Sequence, residues 1–325
     1  MEIQNEIDSL LQRCIACGKC SRICPSMEHD GCDPMEAMTG GETEILECIS
    51  CGLCSQVCRR SDPFRVMQDL ICLARELHVP QSFHETGSAL EMRDCPSRTE
   101  LEPKWTGDDA YVMPGCIVRS KYPFLEYAAS VALNAIGVRC SEIPDTRCCT
   151  HPIPFRDMNS FERRDVRTSI GASAGGKDIV TLCAGCSSEL QEVSVDNDHI
   201  ITFLHAHKDS LPRFENGGPR VALQPGCSAR MLKKELAEIV TVMGCTNIGN
   251  DSGCCGKNAR VSEELMEERM DECRGADFII TACPMCFSKY DSHEDGIPVL
   301  HIAELVAMAT GDDATLAYHR IKPRN

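Results

Sequence analysis

The sequence has little positive charge and no long apolar run. Its 325 residues include 33 Lys and Arg against 49 Asp and Glu, a formal net charge of −16. This acidity argues against nucleic acid and anionic lipid as partners, because both are negatively charged, although a solubilising surface explains it equally well. With no run of 18 apolar residues, we expect no membrane-spanning helix.

An N-terminal targeting segment is also missing. No stretch combines basic residues, an apolar core and a small-residue cleavage site, and residues Met1 to Leu11 are acidic and amphipathic. We therefore expect a cytoplasmic protein, which a partner protein could attach to the periphery of a membrane. The sequence also has no flavin or nicotinamide fingerprint, so any redox chemistry requires electrons from a partner.

Apolar residues are scarce once cysteine is set aside. The apolar share of 42% includes 24 cysteines, and without them it falls to about 35%, below the usual globular share. In a cytoplasmic chain of this length, such dense cysteine indicates metal binding rather than disulfides. We expect metal–thiolate bonds to supply part of the folding free energy.

Eight of the cysteines form two runs near the N-terminus. Each run has the spacing C-x2-C-x2-C-x3-C, and Pro25 follows the first while Arg59 follows the second. Two such runs are the ligand pattern of a bacterial-type ferredoxin with two [4Fe-4S] cubanes, in which the fourth ligand comes from the opposite run. The crossed assignment gives two sets: Cys14, Cys17, Cys20 and Cys58, and Cys48, Cys51, Cys54 and Cys24. A zinc module is the alternative, but zinc knuckles do not need this fourfold spacing twice.

Ten more cysteines form a second pattern, which occurs twice. The two sets are Cys116, Cys148, Cys149, Cys183 and Cys186, and Cys227, Cys254, Cys255, Cys283 and Cys286. Adjacent cysteines suit one tetrahedral ion poorly, because their side chains diverge, and five soft ligands exceed the four of structural zinc. The pattern favours a multi-iron site, while a zinc site plus a stray thiol and a redox-active C-x2-C stay open as alternatives. Six cysteines fall outside both patterns and are expected to be mostly buried spare thiols: Cys32, Cys72, Cys95, Cys140, Cys245 and Cys273.

The spacing predicts an α+β or α/β protein with an internal duplication. We expect a mainly helical domain over 1–80, a linker over 81–109, and two repeated α/β cysteine-rich domains over 110–216 and 217–325. Short apolar strands run into Pro-Gly-Cys and C-x2-C in each repeat, so the cysteines lie where strands turn into helices, the edge at which open α/β sheets bind ligands. We expect pseudo-twofold packing of the repeats, in which Leu204-His205 corresponds to Leu300-His301.

The doubled Cys…Cys-Cys…C-x2-C pattern resembles the CCG domain of the heterodisulfide reductase catalytic subunit. Fused to a two-cluster ferredoxin domain, it resembles the fused form of that subunit in methanogens over nearly the whole chain. The resemblance implies two non-cubane [4Fe-4S] clusters in addition to the two cubanes, with all ten repeat cysteines acting at the catalytic site. It also implies that a mixed disulfide such as CoM-S-S-CoB is split into two thiols between the clusters. Cys-Cys-Thr in the first repeat departs from the usual Cys-Cys-Gly, and Thr150 would alter the loop if that glycine has a positive φ.

Two functions follow from the resemblance. The chain is predicted to be an oxidoreductase subunit that reduces a small-molecule disulfide, within a hetero-oligomeric complex that includes an electron-donating flavoprotein, ferredoxin or membrane cytochrome. The alternative is an iron–sulfur relay subunit of a glycerol-3-phosphate, glycolate, lactate or succinate dehydrogenase, which passes electrons to a quinone or cytochrome. Complete cysteine sets in both repeats favour the reductase.

Overall fold

The computed structural model of the chain describes residues 3–155, 157–250, 255–256, 262–293 and 296–321. Contacts divide the chain into two compact units. The first comprises Met1–Pro80, Pro152–Arg163 and Gly256–Glu267, and the second comprises Gln81–His151, Arg164–Cys255 and Glu268–Asn325. The two shorter segments of the first unit thus each begin just after the Cys-Cys pair of one repeat. Along the described ranges, no helix is long and apolar enough to cross a bilayer.

The N-terminal part of the first unit is built from short helices around the two cysteine runs. They are α1 (Ile3–Gln12), α2 (Lys19–Arg22), α3 (Pro34–Thr39), α4 (Leu53–Val57) and α5 (Pro63–Ala74), with 3₁₀ turns at Pro25–His29 and Ile45–Glu47. Helix α5 packs against α1 and α3, and its Val66 joins Ile7, Leu10 and Met38 in a small core.

Helix α5 closes the cysteine runs, as the sequence predicts. Val66, Leu70, Leu73 and Leu77 recur at helical spacing, which predicts a helix after the second run, and the structure confirms one. Val66 and Met67 are fully buried, whereas Leu73 is 55% exposed. The helix ends at Ala74, so Leu77 lies beyond it and is 42% exposed.

The second unit contains the two repeats. Its first half consists of α6 (Gln81–Thr86), α7 (Ser97–Glu100), β1 (Ala110–Met113), α8 (Cys116–Lys121), α9 (Phe124–Ala135), β2 (Cys140–Glu142), α10 (Ser160–Ser173), β3 (Asp178–Thr181), α11 (Ala184–Glu192), β4 (Asp198–His199) and α12 (Ile200–Ala206). Its second half consists of β5 (Arg220–Gln224), α13 (Lys233–Val242), β6 (Thr246–Asn250), α14 (Ser262–Glu272), β7 (Phe278–Thr281), α15 (Pro284–Tyr290), β8 (Val299–His301) and α16 (Ile302–Ala309). Helices α10 and α14 begin in segments assigned to the first unit. The predicted linker contains α6 and α7 and buries Ser88, Ala89 and Ser97.

Each repeat forms a four-stranded parallel sheet with the same strand order. The orders are β2-β1-β3-β4 and β6-β5-β7-β8, with Val112 paired to Val180 and Leu223 paired to Ile280 in the central strands. These central residues are fully buried, as expected for parallel strands covered on both faces. The predicted α/β class and duplication are therefore confirmed.

The strand order determines where a ligand can enter. In each sheet the chain goes from the first strand to an outer strand, and then returns to the other side of the first strand. The crevice of an open α/β sheet lies at this switch point, beyond the carboxyl ends of the two central strands. Pro-Gly-Cys follows one of these strands and C-x2-C follows the other.

The structure corrects one predicted equivalence between the repeats. His199 ends β4 opposite Thr181, and His301 ends β8 opposite Thr281, so His199 is the counterpart of His301. Each of them caps the following helix. His205 instead lies within α12, where its Nε2 is 2.8 Å from Glu238 Oε2. The predicted match of Leu204-His205 to Leu300-His301 was wrong because the first pair lies in a helix and the second in a strand.

The two repeats pack reciprocally. Helix α9 of the first repeat contacts α16 of the second, and α12 of the first contacts α13 of the second. Because α9 and α13 occupy equivalent positions, as do α12 and α16, the two interfaces are related by an approximate twofold. Polar pairs join both interfaces: Tyr127 Oη donates to Asp312 at 2.7 Å, and Lys208 Nζ donates to Glu238 at 2.9 Å.

Candidate metal centres

The two N-terminal cysteine runs adopt the same backbone conformation. Ala16 and Ser50 have φ of 51° and 55°, and the glycines two residues later have φ of 70° and 72°. This turn directs the amide of Ala16 to Cys14 Sγ and the amide of Ser50 to Cys48 Sγ, both at 3.4 Å. Hydrogen bonds to cysteine sulfur are among the factors that set the potential of an iron–sulfur cluster.

A pair of serine–aspartate contacts supports these loops. Ser21, after the third cysteine of the first run, donates to Asp33 at 2.5 Å, and Ser55 makes the equivalent bond to Asp62. Both aspartates also cap a helix that begins with proline. The sequence analysis missed these residues, although a repeated Cys-Ser…Asp-Pro pattern was present to be found.

The thiols of the first unit are gathered, and Cys24 lies with the opposite run. The thiols of Cys51, Cys24 and Cys20 lie near the thiol of Cys54. Burial is the main cause that raises the pKa of Cys54, and the neighbouring thiols raise it further. The side chain of Cys32 contacts both Cys24 and Cys48 and is fully buried. The crossed ligand assignment stays a prediction.

In the first repeat, a close approach brings the two strand-end loops together. Gly115 has φ of 82°, and a β-carbon there would lie 3.0 Å from Cys186 Sγ. The second repeat has the same constraint, since a β-carbon at Gly226 would lie 2.7 Å from Cys283 Cβ. Glycine in Pro-Gly-Cys thus allows the loop after the first strand to contact the C-x2-C loop.

The five cysteines of the first repeat form a continuous set of contacts. Cys148 contacts Cys116 and Cys149, and Cys186 contacts Cys149 and Cys183. These hydrogen bonds, with burial, raise the pKa of Cys148 and of Cys186 well above the ordinary value, so ligand formation must release protons.

The second repeat shows the same arrangement as far as it is described. Cys286 contacts Cys255 and Cys283, and Cys227 follows Gly226 at the end of the β5 loop. Cys254 lies outside the described residues, as does Lys257, the residue that follows the second Cys-Cys-Gly. Five of the six spare thiols are buried, as expected, and Cys95 is partly exposed.

The donor sets that the structure brings together consist of cysteine sulfur. Within the described residues, no group of three or more Cys, His, Asp or Glu side chains is arranged to hold a single metal ion. Thiolate ligands suit both iron–sulfur clusters and zinc.

Thr150 occupies a backbone position typical of glycine. Its φ is 70°, close to the 63° of Gly256 at the equivalent position, so the departure from Cys-Cys-Gly leaves the local conformation unchanged. Thr150 is fully buried, and its Oγ1 accepts a 3.1 Å hydrogen bond from Arg167 Nε.

Arg167 is the main support of the Cys-Cys loop in the first repeat. It is 3% exposed, donates to the carbonyl of Cys149 at 3.1 Å, and forms ion pairs with Glu189 and Glu192. Glu189 also contacts His151 Nδ1 at 2.8 Å, so His151, which follows Cys-Cys-Thr, is held against α11. No sequence signal distinguished Arg167 from the other arginines of α10.

Comparison with models of known protein families assigns both repeats to one domain family. Residues 110–191 and 221–290 each match the cysteine-rich domain CCG, so the chain contains two copies of this domain.

Comparison with individual proteins finds relatives that are named as subunits of reductases. The chain is 26% identical to a subunit of the ferredoxin/F(420)H(2)-dependent CoB-CoM heterodisulfide reductase of Methanosarcina acetivorans, over 61% of this chain and 87% of the relative. It is 24% identical to a subunit of the ferredoxin:CoB-CoM heterodisulfide reductase of Methanosarcina mazei, with the same coverage. It is also 22% identical to a subunit of the fumarate reductase (CoM/CoB) of Methanothermobacter marburgensis, over 94% of this chain and 63% of the relative.

Replacing Arg167 with methionine should destabilise the second unit. The change leaves the Cys149 carbonyl and Glu189 without this partner, which costs about 2–4 kcal/mol for a buried charged network. Arg164→Met, on the exposed side of the same helix, is the matched control and should change the free energy of unfolding by less than about 0.5 kcal/mol. Denaturant unfolding of both variants measures the difference, and equal losses would contradict the assigned support.

Serine substitutions test the crossed assignment in the first unit. Cys24→Ser should damage the cluster of Cys48, Cys51 and Cys54, and Cys58→Ser should damage that of Cys14, Cys17 and Cys20. Iron content and electron paramagnetic resonance of the reduced protein report each loss. Cys32→Ser is the control, because Cys32 contacts Cys24 and Cys48 but lies outside both runs. Damage confined to the substituted run's own cluster would show that the ligands do not cross.

Proposed function

We propose that the chain is an iron–sulfur oxidoreductase subunit of heterodisulfide-reductase type, which reduces a mixed disulfide to two thiols. The observation that carries this proposal is the reciprocal packing of two repeats that each present cysteines at a sheet switch point. Two equivalent sites suit a substrate with two equivalent sulfurs. The relatives named as subunits of heterodisulfide reductases support the same assignment.

The residues have distinct roles in this proposal. The two N-terminal sets would hold cubane clusters, and the repeat sets would hold the two non-cubane clusters at which the disulfide is reduced; zinc at one C-terminal site is the alternative. When bound, the clusters supply electrons one at a time. Cys148, Cys149 and Cys186 are at most 3% exposed, so these ligands would keep water from the iron. The glycines of Pro-Gly-Cys allow the two loops of each site to lie in contact.

The overall reaction balances with two electrons and two protons. The S–S bond of R–S–S–R′ breaks, each sulfur gains one electron and one proton, and two thiols are released. The electrons come from a partner, which we propose is a flavoprotein, a ferredoxin or a membrane cytochrome. The relatives are named as subunits, which supports a hetero-oligomeric complex.

One observation favours a second candidate function. The match to a subunit of a fumarate reductase (CoM/CoB) covers 94% of this chain and so includes most of the N-terminal unit. A relay subunit of this kind would pass electrons between two partner proteins and would not itself reduce a disulfide. The chain spans 63% of that relative, so the relative contains further sequence.

Metal analysis separates iron–sulfur sites from zinc sites. Anaerobically purified protein should contain roughly 16 Fe per chain, since four cysteine sets each hold four irons. Removing the iron with a chelator should unfold much of the chain, because metal–thiolate bonds contribute to folding. A preparation with about 8 Fe and one or two Zn would instead support zinc in the repeats.

Disulfide reduction is tested on the isolated chain. Viologen-reduced protein should consume a mixed disulfide such as CoM-S-S-CoB and release two thiols per two electrons. Cys149→Ala and Cys255→Ala should each abolish turnover and leave the N-terminal clusters intact. Cys140→Ala, which removes a buried thiol outside the sets, is the control and should keep turnover. No consumption by the wild-type chain, with electron transfer between partners intact, would favour the relay.

A further inference from the structure

Two histidines connect the repeats directly beside the C-x2-C loops. His199, at the end of β4, has its Nε2 3.1 Å from the carbonyl of Ala282 in the second repeat. His301, at the end of β8, has its Nε2 3.3 Å from the carbonyl of Leu182 in the first repeat. Ala282 and Leu182 immediately precede Cys283 and Cys183. Each histidine therefore contacts the loop of the opposite repeat, and the two contacts obey the same approximate twofold as the helices.

The second ring nitrogen of each histidine is also occupied. Nδ1 of His199 accepts from the amide of Ile201, and Nδ1 of His301 accepts from the amide of Ala303, both at 3.4 Å. With Nδ1 as acceptor, the proton of the neutral ring lies on Nε2, which then donates to the carbonyl. The rings are 3% and 0% exposed, and this burial lowers the pKa of each to about 4. Both rings thus stay neutral at physiological pH.

Helix capping alone does not explain a histidine at these positions. Asparagine, aspartate or serine caps a helix as well with a shorter side chain. The longer imidazole also reaches a carbonyl at the end of a central strand in the other repeat. Both carbonyls are buried, since Leu182 and Ala282 are 0% exposed. Buried carbonyls are paired with donors in folded proteins, and each imidazole supplies one here. The ring therefore has two separable roles: a cap within its own repeat and a donor to the other repeat.

We infer that His199 and His301 form a reciprocal bridge that fixes the two C-x2-C loops relative to each other. They are positioning residues for any reaction that uses both sites at once. That functional consequence rests on the proposed disulfide reduction, whereas the bridge itself does not.

Hydrogen exchange in the complete protein tests the bridge. The amides of Ser187 and Phe287, bonded to the carbonyls of Cys183 and Cys283, report on the two loops. His199→Asn keeps a capping acceptor but removes the long-range donor. It should raise exchange across 283–287 in the opposite repeat by about fivefold, as expected for one lost neutral hydrogen bond, while α12 stays protected. His301→Asn should do the same across 183–187.

Glutamine variants complete the design. His199→Gln and His301→Gln retain a donor near the position of Nε2 and lose the capping acceptor, so they should preserve the opposite loop and loosen the first turn of their own helix. If the asparagine variants raise hydrogen exchange only in the repeat that carries the substitution, and not in the opposite C-x2-C loop, the bridge does not exist.

Turnover then tests the functional consequence. The asparagine variants should keep their iron and reduce the disulfide at least about fivefold more slowly, and the glutamine variants should turn over faster than the asparagine variants. Equal turnover in the asparagine variants and wild type would overturn the positioning role. If the wild-type chain consumes no disulfide, the proposed function fails, and the exchange experiment still decides whether the bridge exists.

Discussion

The contact between the two central strand ends of each sheet determines the arrangement of both repeats. The loop after the first strand lies so close to the C-x2-C loop that Gly115 and Gly226 have no room for a side chain. This contact exists because the chain crosses from an outer strand back to the neighbour of the first strand. Cysteines that are distant in sequence therefore meet at one edge, the edge at which open α/β sheets bind ligands.

The reciprocal packing of the repeats converts two such edges into a pair. The last helix of each repeat lies against the helix that follows the first strand of the other, and His199 and His301 repeat this exchange at the level of single hydrogen bonds. A duplicated domain that packs in this way presents two sites of the same architecture. This symmetry is the reason that the proposed substrate has two similar halves.

Supporting residues in the first unit and in the first repeat hold the cysteine loops by ordinary polar contacts. Asp33 and Asp62 each combine a helix cap with a serine beside a cysteine, and Arg167 combines a buried ion pair with the Cys149 carbonyl. Such contacts orient a ligand before metal binds and tune it afterwards. In the first repeat they act beside an apolar core, since Cys149 and Cys186 pack with Met113 and Ile170.

The sequence by itself determined the features that depend on local pattern. Cysteine spacing predicts which thiols belong together, and short apolar runs before Pro-Gly-Cys and C-x2-C predict the strands correctly. Tertiary structure alone decided the features that depend on where elements meet. His199 rather than His205 matches His301 because strand register decides equivalence. Thr150 shows the same limit: its residue type argues against a positive φ, and the buried hydrogen bond from Arg167 holds it in a conformation that no local preference predicts.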